Sequence, residues 1–155
     1  MSIMSYGFKF ILFTFIVMFS AVVYGETGKK PDPTSVSNGK ELYGQYCQAC
    51  HQKQGVGEKP VPPALRKPGY IPALPLNETS HAWHHTDKQM VNTILNGTPS
   101  TKRMPAWKGT ISEKDAQYIV SYIKSLWGPK TLSCQGPKHM SARCTPKEAK
   151  RTQTR

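Results

Sequence analysis

Residues 38–51 read NGKELYGQYCQACH, and the last five letters, CQACH, decide how the chain is interpreted. The spacing C-x-x-C-H is typical of covalent attachment of haem c. Two thiols one turn apart at a helix end can each add to a porphyrin vinyl group, and the next residue then directs an imidazole at the iron. A redox-active CxxC or a zinc site is the alternative, but the first needs a βαβ context and the second needs another ligand pair. The motif predicts one covalent haem c bound by Cys47, Cys50 and His51.

Composition limits the rest of the chain to a small, loop-rich domain. It has 155 residues, 13 Pro, 12 Gly and a formal net charge of +12. A chain of this length has room for one hydrophobic core. With so many loops that core is thin, so a disulfide, a metal or a cofactor is expected to stabilise it. No stretch matches GxxxxGK[ST], GxGxxG or GxSxG, so nucleotide and serine-hydrolase chemistry are not expected.

The first residues resemble an export signal. Lys9 precedes the uncharged run FILFTFIVMFSAVV at residues 10–23, and Val23 and Gly25 are small enough for cleavage after Gly25. An uncleaved anchor is the alternative, although the run is shorter than the ~20 residues of a spanning helix. We therefore expect a signal peptide at 1–25, a linker at 26–36, the folded domain at 37–128 and a basic extension at 129–155.

Helical periodicity and capping signals predict an all-α domain of three to four helices around the haem, with no β-sheet. The first helix is expected over residues 37–50, with Ser35 or Ser37 as its cap. A Pro- and Gly-rich loop follows over residues 52–83. The sequence predicts two capping boxes, Thr86 with Gln89 and Ser112 with Asp115, which open helices ending at Asn96 and Trp127. The predicted apolar faces are Val91, Ile94 and Leu95 in one helix and Ala116, Ile119, Val120, Ile123 and Trp127 in the other.

With these landmarks, residues 37–127 resemble the class I cytochrome c family. The resemblance places Gly39 and Tyr43 on the face of the first helix that packs against the C-terminal helix. It assigns the carbonyl that accepts the His51 imidazole N–H to Pro63, in the segment PPAL. It assigns the distal iron ligand to Met104 in RMPAW, 53 positions after His51.

Met104 is the candidate that also suits the predicted helix order. A lone Met is usually core filler, but this one precedes Pro105 and lies in the loop before the last helix. The other methionines lie in the leader, in a predicted helix or in the tail: Met1, Met4, Met18, Met90 and Met140.

The resemblance implies an electron carrier rather than an enzyme. A His/Met pair fills both axial positions, so neither oxygen nor peroxide has an open site, and thioether ligation favours a relatively positive potential. We expect a monomeric periplasmic carrier that shuttles single electrons between respiratory or dehydrogenase partners. The alternatives are a dedicated, membrane-anchored or docked subunit of an oxidoreductase, a copper-handling haem protein, and a small peroxidase that lacks Met ligation.

Positive charge points to acidic redox partners. The segment 26–127 has 13 basic and 8 acidic residues, and the segment 128–155 has 7 basic and 1 acidic. Basic side chains in the loops expected beside the haem can steer an acidic docking face, although an ordinary solvated surface is the alternative. Nucleic acid is a poor candidate because the tail lacks interleaved aromatics, whereas an anionic membrane surface stays open. The loop residues are Lys53, Lys59, Arg66, Lys67, Lys102, Arg103 and Lys108.

Two further clusters allow more than one interpretation. His81, His84 and His85 either satisfy loop hydrogen bonds around Trp83 or bind a metal such as copper. Cys134 and Cys144 are expected to form a disulfide in an exported protein, and soft-metal binding with His139 and Met140 is the alternative. Beyond Cys144 the polar tail is expected to be disordered.

Overall fold

The computed structural model describes residues 27–141 and residue 144. The predicted leader, its cleavage site after Gly25 and the tail beyond Cys144 lie outside the described residues. None of the described helices is both long enough and apolar enough to cross a membrane.

The described part of the chain is helical, which confirms the all-α prediction. Three helices have ten residues or more and two are short; outside them the described residues form 3-10 turns, loops and two isolated bridges, with no strand. In chain order the helices are α1 (Pro33–Tyr46), α2 (Gln48–His51), α3 (Asp87–Asn96), α4 (Glu113–Ser125) and α5 (Pro129–Ser133).

Helix α1 begins four residues before the predicted start at Ser37. Its N-cap is Asp32, whose Oδ1 accepts a hydrogen bond from the Ser35 backbone N–H at 2.9 Å. Pro33 occupies the first turn, where its missing N–H leaves no bond unmade. Neither Ser35 nor Ser37 is the cap, so part of the predicted linker is helical.

The two predicted capping boxes are confirmed. Thr86 and Gln89 bond reciprocally at the start of α3, and Ser112 and Asp115 do the same at the start of α4. Helix α4 ends two residues before the predicted Trp127, whose side chain is nevertheless buried. The predicted apolar faces lie in one core, with Leu95 only partly buried at its edge.

The core forms where α1 crosses α4, as predicted. Gly39 lies so close to α4 that a Cβ built there would overlap the Tyr118 carbonyl oxygen. One turn later Tyr43 is 1% exposed, and its ring centroid is 4.9 Å from that of Tyr122. The Tyr43 hydroxyl donates to the Gln52 carbonyl at 2.8 Å. This contact ties the α1–α4 crossing to the chain just after the CxxCH motif.

The C-terminal extension contains short helical elements that the sequence analysis did not predict. Beyond Gly128 the chain forms α5 and then a 3-10 turn, Gly136–Met140. Leu132 packs in the core, and Cys134 and Cys144 are joined in a disulfide with their Cα atoms 5.6 Å apart. At least as far as this turn, the extension is part of the folded unit.

Candidate haem-binding site

The CxxCH motif lies at the junction of α1 and α2. Cys47 is the C-cap of α1 and also the N-cap of α2. Its carbonyl accepts a hydrogen bond from the His51 backbone N–H at 2.9 Å. Cys50 and His51 follow within the single turn of α2. Both thiols are free and half-buried. One turn therefore presents two thiols and an imidazole together, which is the donor set that covalent haem c attachment requires.

The environment of Cys47 argues against a redox-active CxxC. Burial, reinforced by the neighbouring Cys50, raises the pKa of the Cys47 thiol to about 12. Reactive cysteines have a lowered pKa, because the thiolate is the nucleophile. Within the described residues no three His, Cys, Asp or Glu side chains are grouped so as to hold a metal ion. The zinc alternative thus has no second ligand pair in this part of the chain.

The imidazole of His51 is oriented by a backbone carbonyl. His51 Nδ1 lies 2.9 Å from the Leu74 carbonyl oxygen. A carbonyl only accepts, so the contact assigns the proton to Nδ1 and leaves the Nε2 lone pair for a metal. Burial lowers the pKa of His51, which favours the neutral form that ligates.

The carbonyl partner of His51 corrects one prediction. The resemblance assigned this role to Pro63, which instead begins an exposed 3-10 turn, Pro63–Leu65. Leu74 lies eleven residues further along the same loop, where Leu76 N donates to the Gly55 carbonyl at 2.7 Å. The loop thus returns to His51 at Leu74 rather than at Pro63. The loop is long and Pro-rich, so the spacing of its prolines does not indicate where it closes.

The loop after His51 contains a set of uncovered apolar side chains. Single exposed apolar side chains are ordinary on a protein surface, whereas an apolar surface built from several of them marks a binding site. This loop is bonded to His51, so an apolar group held by the CxxCH turn would adjoin it. The residues present therefore fit a haem. The exposed large hydrophobic residues of the described chain are Val56, Leu65, Ile71 and Leu74, at 53%, 75%, 37% and 55% exposure.

The loop with Met104 is held against the end of α3. Trp107 N and Lys108 N donate to the carbonyls of Ile94 and Leu95, at 3.2 and 2.9 Å. Gly97 ends α3 with φ 71°, and a Cβ there would lie 2.7 Å from the Met104 carbonyl oxygen. Only glycine combines that φ with the space the loop occupies.

A ring contact brings this loop to the CxxCH turn. The rings of Tyr46 and Trp107 meet edge to face, with centroids 5.3 Å apart. Tyr46 immediately precedes Cys47, and Trp107 lies three residues after Met104. The half-buried Met104 therefore lies in a segment that packs beside the motif.

Sequence reasoning missed an ion pair between the two loops. Glu58 and Arg103 form a fork-to-fork pair, with Arg103 Nη2 to Glu58 Oε1 at 2.6 Å and Nη1 to Oε2 at 2.7 Å. Hydrogen bonds from Arg103, and next from the Ala73 N–H, lower the pKa of Glu58 to about 2. The sequence placed Arg103 among the partner-steering cations, but its charge is largely offset by Glu58. No periodic signal joins two loop residues 45 positions apart.

The rings of the histidine cluster contact one another. The centroid of His81 is 4.3 Å from that of His84 and 5.1 Å from that of His85. Trp83, partly buried against the core, meets His84 at 4.1 Å. The His85 carbonyl accepts from Gln135 Nε2 at 3.1 Å. These contacts favour the interpretation of the cluster as loop packing.

The helical fold and the CxxCH turn define a c-type cytochrome, which binds haem c and transfers electrons. The model of one family, described as cytochrome c oxidase, cbb3-type, subunit III, matches residues 34–123. This match covers more than half of the chain, and the chain belongs to that family.

A curated relative agrees with this assignment. The cbb3-type cytochrome c oxidase subunit CcoP of Azospirillum sp. (strain B510) is 28% identical over 103 residues. The aligned region covers 66% of this chain and 32% of the relative. The chain thus matches about a third of the relative's length.

Proposed function

We propose that the protein is an exported cytochrome c with one haem and His/Met-ligated iron, which passes single electrons along a respiratory or dehydrogenase chain. Cys47 and Cys50 form the two thioether links, and His51 and Met104 ligate the iron. The observation that carries the proposal is the contact between His51 Nδ1 and the Leu74 carbonyl, beside two free thiols on the same turn.

The chemistry follows from what these side chains do. When bound, haem c supplies one-electron exchange. Leu74 holds the imidazole so that Nε2 is free to ligate, and the anchored loop presents Met104 from another segment. Bound between His51 and Met104, the iron would offer external oxidants no open site. The residues therefore favour electron transfer over catalysis.

A visible spectrum of the purified protein in its ferric and reduced forms tests this proposal, with a pyridine haemochrome on the same sample. The expected result is one c-type haem per chain and the weak far-red sulfur-to-iron band of the ferric form. A high-spin ferric iron without that band would overturn Met ligation and favour the peroxidase alternative. Absence of covalent haem, in a host with the attachment machinery, would overturn the whole proposal.

A second candidate is a dedicated subunit of an oxidase rather than a free carrier. The family match and the CcoP relative favour it. Mild detergent extraction of native membranes followed by size exclusion distinguishes the two candidates. A subunit elutes with an oxidase complex and remains with it in high salt. A carrier elutes near the size of one chain and is released by salt, as expected for docking of basic loops on an acidic face.

Export is proposed from the leader and the extension together. A bond between Cys134 and Cys144 is expected to persist only in an oxidising compartment. Mass spectrometry of the protein from its native host tests this point. The expected mature chain begins at Glu26 and has lost two hydrogens from its thiols, whereas an intact leader would indicate an anchored form.

Copper handling has less support than electron transfer. The disulfide removes both extension thiols from the set of available ligands. Titration of the reduced haem protein with Cu(I) in the absence of thiol reductant tests this alternative. Stoichiometric tight binding that Cys134→Ser abolishes would restore it, and we expect none.

A further inference from the structure

The pair Glu58–Arg103 is the centre of a small network. Glu58 Oε2 also accepts the Ala73 N–H at 2.8 Å and the Tyr70 hydroxyl at 3.3 Å. Arg103 lies 4.5 Å over the Tyr70 ring and donates to the Ile71 carbonyl at 3.0 Å. The side chains of Glu58, Tyr70 and Arg103 thus join one loop to the other through hydrogen bonds and a cation–π contact.

One end of the network adjoins Leu74, whose carbonyl orients His51, and the other end adjoins Met104. Glu58 and Ala73 bond in both directions, since Glu58 N also donates to the Ala73 carbonyl at 2.9 Å. Ala73 precedes Leu74, whose carbonyl orients His51. On the other side, Arg103 immediately precedes Met104. The network therefore connects the segment that orients the proximal side chain with the segment that supplies the distal one.

The Glu58–Arg103 pair is more firmly held than an ordinary surface ion pair. Exposed Lys or Arg pairs contribute little, because water and lost side-chain freedom offset the attraction. Here the side chain of Arg103 is 34% exposed and that of Glu58 is 22% exposed. A bidentate fork fixes both distance and orientation, and the stacked Tyr70 ring limits the other rotamers of Arg103.

We propose that Glu58 and Arg103 are positioning residues that keep the Met104 loop closed on the iron. This inference rests on the proposed His/Met ligation. Met104 reaches the iron only while its loop is closed, so the strength of the sulfur–iron bond depends on the equilibrium between closed and open loop. Breaking the pair shifts that equilibrium toward the open form and leaves the thioether links and His51 in place.

Imidazole binding to the ferric protein measures this equilibrium. Imidazole replaces Met104 only when the loop is open, so its apparent affinity scales with the open fraction. The variants Glu58→Gln and Arg103→Gln are expected to bind imidazole at least about tenfold more tightly than wild type. The double variant is expected to bind little more tightly than either single one, because both lose the same interaction.

Lys102→Gln is the matched control. It removes the same charge from the same loop at an exposed position one residue away, and its imidazole affinity is expected to stay within about twofold of wild type. Equal affinity changes in Lys102→Gln and Arg103→Gln would overturn the proposal. So would unchanged affinity in Glu58→Gln and Arg103→Gln, even if urea unfolds them more easily, since that pattern indicates a purely structural role.

The proposed function and this inference fail in different ways. Wild-type protein without the far-red band overturns Met ligation itself. Wild-type protein with the band, together with unaltered variants, overturns only the positioning role. If a Gln variant does not fold, Arg103→Lys replaces it, because that variant keeps the charge and loses the bidentate fork. An affinity for imidazole no higher than that of Lys102→Gln would then overturn the inference.

Discussion

The side-chain amide nitrogen of Gln135 donates to Asp87 Oδ1 at 2.6 Å, across 48 residues of chain. Gln135 is fully buried, and its Oε1 accepts the Gly28 N–H at 2.8 Å. The other oxygen of Asp87 bonds Lys124 Nζ at 2.8 Å, in an ion pair that is nearly buried. One glutamine of the extension thus joins the segment before α1 to a charged pair between α3 and α4.

Gln135→Ala is expected to destabilise the protein by about 2–3 kcal/mol, because the buried Asp87 carboxylate and the backbone of Gly28 and His85 lose hydrogen bonds. Urea unfolding measures the loss. Ser133→Ala is the matched control, since Ser133 is exposed on the same extension and its hydroxyl bonds only locally. Equal stability of the two variants would contradict the role given to Gln135.

Gly39→Ala is expected to cost about 1–3 kcal/mol, because its Cβ would meet the backbone of α4 and force the helices apart. Gly44→Ala, in the same helix, is the matched control. A Cβ at Gly44 has no atom within 4 Å, so this change is expected to stabilise α1 by about 0.5–1 kcal/mol. Urea midpoints measure both, and effects of the same sign would contradict the close crossing.

Glu58 is expected to make the folded protein less stable at acid pH. The pKa of Glu58 is lowered from 4.5 to about 2 in the folded protein. Its stabilising contribution is therefore complete above about pH 4.5 and is lost as pH falls through the folded pKa. Urea midpoints of wild type and Glu58→Gln should differ more at pH 6 than near pH 2.5. A difference that grows on acidification would contradict this sign.

Met104→Ala is expected to keep the covalent haem, open the iron and lower the reduction potential, because the thioether favours ferrous iron. Potentiometric titration beside a pyridine haemochrome measures both properties. Met90→Ala is a useful control. Met90 is buried in α3, so its loss is expected to lower stability by about 2–5 kcal/mol and leave the far-red band in place. An unchanged potential in Met104→Ala would contradict the ligand assignment.

Local sequence signals predicted the helices well and the long loops poorly. The capping boxes at Thr86 and Ser112 are confirmed. They could be predicted because a capping box involves only two residues three positions apart in the sequence. The start of α1 was misplaced because Asp32 and Pro33 were interpreted as linker, although that pair is also a good N-cap followed by a good first-turn residue. The assignment of Pro63 was wrong because a Pro-rich loop closes through long-range hydrogen bonds that have no periodicity.

By itself, the sequence determined the helical class, the two capping boxes and the haem-attachment signature. These features depend on residues within a few positions of one another or on a regular helical repeat. Only the tertiary structure decided that Leu74 orients His51, that Glu58 binds Arg103 and that Gln135 docks the extension against Asp87. Each of these contacts joins residues 23 to 48 positions apart. Their pairing depends on how the loops close in space, and local sequence patterns do not specify that closure.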